Sequence, residues 1–124
     1  MPLTPRADAF LRRAAPVPVV SDFAAAEFAS ALARRVRTGE IEPERARQAF
    51  SDLDQWIGRV AQRIDLASGD VAEAARFLRR LDVTLRTPDA LNIALCRRAS
   101  AALATFDDKM AAAARRLGLD VVAA

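Results

Sequence analysis

The sequence has no histidine and no tyrosine, and only one cysteine, one lysine and one tryptophan. Without histidine, Ser/His/Asp and Cys/His catalysis, imidazole general bases and the usual zinc sites are excluded together. The lone Cys96 permits no internal disulfide and fits a reducing compartment. No apolar run is long enough to span a bilayer. The first twenty residues are broken by Pro2, Pro5, Pro16 and Pro18 and by Arg6, Asp8, Arg12 and Arg13, so they hold no signal-like apolar core. A cytoplasmic protein of one domain, residues 1–124, is therefore expected, with no membrane partner. Its chemistry is left to carboxylates, hydroxyls and arginine.

What the chain does have is arginine. All the cations but Lys109 are Arg, the formal net charge is +3 and the pI is near 10.3. A planar guanidinium suits phosphate, and a pI above about 9 is a footprint of nucleic-acid binding. A plainer account competes with this one. Arg12/Arg13, Arg34/Arg35, Arg79/Arg80, Arg97/Arg98 and Arg115/Arg116 each fall where a helix is expected to end, and cations there complement the negative end of the helix dipole. For any single pair we favour that account.

The local pattern alternates strand and helix. Thr4 and Pro5 open a short helix to about Ala14. Val17, Val19 and Val20 form a strand, and Ser21 with Asp22 caps a helix that stops at Thr38 and Gly39. Glu42 and Pro43 start its partner, whose stripe is Ala46, Ala49, Phe50, Leu53 and Ile57, with Trp56 beside it. Residues 59–67 read as extended. Ser68 caps the next helix, with Val71, Ala74, Ala75, Phe77 and Leu78 inward, and Thr87-Pro88-Asp89 opens a nearly charge-free helix through Leu91, Ile93, Ala94, Leu95 and Cys96. A strand over 101–106, an Ala-rich helix from Asp108 to Leu117 stopped by Gly118, and a last strand over 119–122 complete the chain. Short apolar strands separated by helices indicate an α/β fold, helix-rich, with a parallel sheet flanked by helices. In such sheets the functional crevice lies beyond the carboxyl ends of the strands.

The stretch FAAAEFASALA, Phe23 to Ala33, carries one charge, Glu27. A helix apolar on every side belongs in an interior, so Glu27 is expected to face protein and to need an Arg, a shared proton or a metal ion. Asp89, in the first turn of a buried helix, and Asp107, at the end of a strand, are the other two acids that do not sort to a wetted surface. Each has an ordinary structural account: Glu27 as a partner of Arg34, Asp89 as a charge favoured by the dipole, Asp107 as an N-cap. If the strands are parallel, all three point to one edge, where they would repel unless a cation sat among them. Oxygen ligands alone select a hard ion, Mg²⁺ or Mn²⁺.

The segments around these acids, AEFASALARR, LRTPDALNIAL and LATFDDKM, resemble the three downstream acidic motifs of PIN-domain nucleases, specifically the VapC-type toxins of bacterial type II toxin–antitoxin systems. The order and spacing match over nearly the whole chain. The resemblance implies a metal-dependent endoribonuclease that cleaves RNA with Mg²⁺ or Mn²⁺. It makes Glu27, Asp89 and Asp107 the catalytic and metal-ligating acids, with Thr105 and Asn92 supporting them. It further implies a homodimer and a cognate VapB-like antitoxin bound through the helix pair from Phe23 to Ile57.

The family's pattern opens with an apolar strand ending in Asp followed by Thr or Ser, and this sequence begins already in the helix that should follow. The expectation is a sheet without its first strand, the neighbours of the gap being roughly 9 to 10 Å apart, twice the usual spacing. The alternative from another class is a non-catalytic PIN-like interaction module that binds an antitoxin-like partner.

Overall fold

A computed structural model describes residues 18–105 and 108–123. The expected first helix over 4–14, the start of the first strand, Phe106 and Asp107 lie outside the described residues. The chain falls into two compact units, Met1–Asp65 and Leu66–Ala124. Among the described residues no helix is long and apolar enough to cross a membrane.

In the first unit, strand β1 (Val19–Ser21) runs directly into helix α1 (Asp22–Arg37), followed by α2 (Pro43–Val60) and β2 (Gln62–Ile64). The junction is built as the sequence predicts: Ser21 is extended, and its Oγ accepts a hydrogen bond from the Ala24 N–H at 2.8 Å. β1 and β2 are parallel, with Val19 opposite Gln62 and Ser21 opposite Ile64. The two helices between them form the crossover that parallel strands require. Phe28, Leu32 and Val36, at helical spacing on α1, pack against Ala46, Ala49 and Phe50 of α2. The Phe28 and Phe50 rings meet edge to face, with centroids 6.4 Å apart.

That arrangement corrects the expectation for α1. Among its residues Leu32 is buried, Glu27 is half-buried, and Ala26, Ala29, Ser30, Ala31 and Ala33 are exposed. Alanine favours helix without supplying a large apolar face, so an Ala-rich helix need not be enclosed. The face is set by the three larger side chains spaced four apart.

In the second unit, α3 (Ser68–Arg79) and α4 (Thr87–Arg98) pack together. β3 (Leu103–Thr105), α5 (Asp108–Arg116) and β4 (Val121–Ala123) follow. β3 and β4 are again parallel, Leu103 opposite Val121 and Thr105 opposite Ala123. Phe77, Ile93, Ala94, Leu103, Ala114 and Leu117 make the core, and Ile93 has no exposed surface. Burying such a side chain contributes about 2 kcal/mol. The α/β reading with parallel strands holds in both units. Among the described residues the strands are joined in two pairs, β1 with β2 and β3 with β4.

The inward face of α3 differs from the sequence reading. Val71 is 52% exposed and Ala75 is exposed, whereas Asp70, Ala74 and Phe77 are buried. The helix is turned to bring Asp70 in. Its carboxylate receives the Ala67 N–H at 2.8 Å, and the Arg98 Nε and Nη2 at 2.8 and 2.9 Å. A two-pronged bond from Arg98 thus ties the start of α3 to the end of α4. Glu73 adds a second tie, pairing with Arg97 at 3.2 Å and with Arg76 on its own helix. The Arg97 guanidinium also lies over the Phe77 ring at 5.9 Å.

Four of the helices end alike, with a left-handed residue just past the last turn: Gly39, Leu81, Ser100 and Gly118, at φ 77°, 64°, 53° and 84°. After α1, α4 and α5 that residue and the next return N–H groups to the helix's last free carbonyls. The pairs are Gly39 to Val36 and Glu40 to Arg35, Ser100 to Arg97 and Ala101 to Cys96, Gly118 to Arg115 and Leu119 to Ala114. Glycine makes this conformation easy at two positions, and the sequence announces both. Leucine does not. Leu81 is 89% exposed, so its side chain offers no burial to offset the strain. Leu81→Gly should stabilise the protein by on the order of 0.5–1 kcal/mol, read as a higher urea midpoint at unchanged slope.

Candidate active site

Two helices of the second unit begin with the same device, and the difference between them separates structure from chemistry. α3 and α4 each start one residue earlier than their hydroxyls suggest: Ser68 and Thr87 are first helical residues, and the preceding Ala67 and Arg86 are the extended N-caps. No side-chain cap comes from those N-caps. Instead the acid in the third helical position reaches back to the N-cap's own N–H, Asp70 to Ala67 at 2.8 Å and Asp89 to Arg86 at 3.3 Å.

Asp70 is 2% exposed and fully engaged. The Arg98 guanidinium, with help from the Ala67 N–H, holds its carboxyl below the usual carboxylate range against the opposing effect of burial. Asp89 is half-buried, its one backbone bond is long, and no arginine side chain pairs with it among the described residues. Of these two acids, only Asp89 presents a carboxylate with capacity left for a ligand. Asn92 lies one turn further along α4 and is half-buried. Thr105 is the last residue of β3.

Glu27 stands in the first unit, one and a half turns into α1. Asp107 lies outside the described residues. A cleft of about 330 Å³ beside the end of β1 is lined by Val20, Ser21, Ala25, Asp54, Ile57, Gly58 and Arg63. Neither Glu27 nor Asp89 lines it. Among the described residues no three His, Cys, Asp or Glu side chains are grouped to hold a metal ion. The described residues therefore do not by themselves compose the metal centre that the acid spacing suggests.

The arginine pairs behave largely as the dipole account expects. Arg34/Arg35, Arg97/Arg98 and Arg115/Arg116 occupy last turns of helices, and Arg79 with the C-cap Arg80 closes α3. Arg35 pairs with Glu40 at 3.2 Å, and Arg80 and Arg116 reach Asp82 at 2.8 and 3.6 Å. Sequence reasoning overlooked Arg86, the residue bonded to Asp89 through its main chain. The available signal was an arginine directly before a Thr-Pro-Asp helix start, where the dipole disfavours a cation. Burial pushes the Cys96 thiol up, which suits a core residue rather than a nucleophile.

The model of the family described as PIN domain matches residues 3–116, spanning both units. No curated protein matches the chain.

Neutralising the two acids should distinguish their roles. Asp70→Asn loses the charge-assisted fork and should cost about 2 kcal/mol or more, whereas Asp89→Asn keeps an acceptor for the Arg86 N–H and should stay within about 0.5 kcal/mol of the parent. Because its folded pKa is depressed, Asp70 contributes stability above the usual carboxylate range and loses it as pH falls through the lowered value. Urea midpoints between neutral pH and pH 2 should therefore fall less steeply in Asp70→Asn than in the parent.

Proposed function

Because the chain belongs to the PIN-domain family, we propose that it is a metal-dependent endoribonuclease of the VapC toxin type, with Glu27, Asp89 and Asp107 as its acids. PIN domains are typically nucleases that use divalent metals, often in toxin–antitoxin systems. The observation that carries the reading is the family match over 3–116, which contains all three acids in their expected order. The spare carboxylate of Asp89 at a helix start supports it. Oxygen ligands favour Mg²⁺ or Mn²⁺. Thr105 and Asn92 support the acids, the protein is cytoplasmic and dimeric, and a VapB-like antitoxin binds the α1–α2 hairpin. An assay of residues 1–124 tests these three acids directly.

RNA cleavage with Mg²⁺ or Mn²⁺ is expected, and Glu27→Gln, Asp89→Asn and Asp107→Asn should each lower it roughly 100-fold or more. Cleavage that survives all three substitutions would sink the assignment. Absence of metal binding in calorimetry, with an antitoxin-like peptide still bound, would assign the non-catalytic module instead.

One domain over 1–124 is part of the same proposal, supported by a single family model that crosses both units. Thermal unfolding should be one cooperative transition, with calorimetric and van't Hoff enthalpies equal. Two separated transitions would count against it.

A further inference from the structure

Most arginines of the described residues have an evident structural use, either in the last turn of a helix or in an ion pair. Arg86 has neither. It is the N-cap of α4, its side chain is exposed, and no described residue pairs with its guanidinium. A cation there meets the positive end of the helix dipole, which disfavours it, so no contribution to the helix explains it. Arg45 and Arg63 also lack partners among the described residues, but neither is hydrogen-bonded to one of the proposed acids. Arg86 is: its N–H donates to Asp89 Oδ2 at 3.3 Å. This bond sets the Arg86 backbone beside the Asp89 carboxylate, and among the described residues no acid pairs with the guanidinium, which lies within one side-chain length of it.

We propose that Arg86 is a substrate-positioning residue that binds a phosphate of single-stranded RNA beside Asp89. The inference rests on the ribonuclease reading above. A guanidinium fork donates two parallel hydrogen bonds to a phosphate, and the anion offsets the conflict with the dipole. Asp89 Oδ2 accepts the Arg86 main-chain N–H, and among the described residues no ion pair joins its carboxylate to the guanidinium. Arg86 acts on binding and register, since phosphate contacts orient a nucleic acid without reading its bases.

The test uses the full chain and a labelled single-stranded RNA. Binding is followed by anisotropy in EDTA over a range of salt, and steady-state cleavage is followed with Mn²⁺. Arg86→Ala should weaken binding roughly tenfold and reduce the slope of log affinity against log salt by about 0.7, the share of one phosphate contact on a single strand. KM should rise by a similar factor while kcat stays within about twofold. Arg86→Lys, which keeps the cation, should retain the parent salt slope, and Arg115→Ala, a cation of a last helical turn, should leave slope and KM unchanged. Arg86→Ala with unaltered slope and KM in a chain that cleaves RNA would overturn the inference and leave the ribonuclease reading standing. So would an equal effect of Arg115→Ala, which would mark a general charge effect, or a fall in kcat alone. A parent chain that neither binds nor cleaves RNA would overturn both.

Discussion

The bond between Asp70 and Arg98 organises the second unit. Among the described residues Asp70 is the one buried acid, and a buried carboxylate must be matched by donors or be expelled. Arg98 supplies two and the backbone of Ala67 a third. With Asp70 turned inward, Val71 is at the surface, while Ala74 and Phe77 share the buried face, where Phe77 joins Ile93 and Leu103 in the core. The ends joined are also the electrostatically suitable ones, an acid at a helix start and a cation at a helix finish. The polar contact and the apolar pair Ala74 and Phe77 thus lie on one face of the helix.

Much of the backbone was legible because it is decided locally. Ser21 announces a cap, and Gly39 and Gly118 announce left-handed turns, since each needs only its neighbours to act. Phe28, Leu32 and Val36 carried the buried face of α1, but the alanines around them masked it and made the whole helix look enclosed. Leu81 and Ser100 adopt the same turn as the two glycines without any residue type to signal it. The inward turn of Asp70 was hidden for a different reason. Its partner lies 28 residues away, and no periodicity in α3 encodes a bond to another helix.

The candidate site shows the same division. Asp89 was found because its setting, an acid opening an apolar helix, is a local pattern, while its contrast with Asp70 emerged only from what each carboxylate touches. The two acids share a position and a backbone bond. One has spent its remaining capacity on an arginine, and the other has not. Among the described residues, that unspent carboxylate lies beside the backbone of an arginine whose guanidinium has no acid paired with it.

The two parallel strand pairs also differ in how far the chain must travel to close them. β3 reaches β4 across a single helix, whereas β1 reaches β2 only after a helical hairpin. Chain closure costs entropy that rises with the length between the paired ends, and it is met before the pairing returns anything. For three-residue strands the return is small. In the longer crossover, Phe28 and Leu32 packed against Ala46 and Ala49 hold the two helices together, so the ends of β1 and β2 are spanned by a docked hairpin and not by a loose chain.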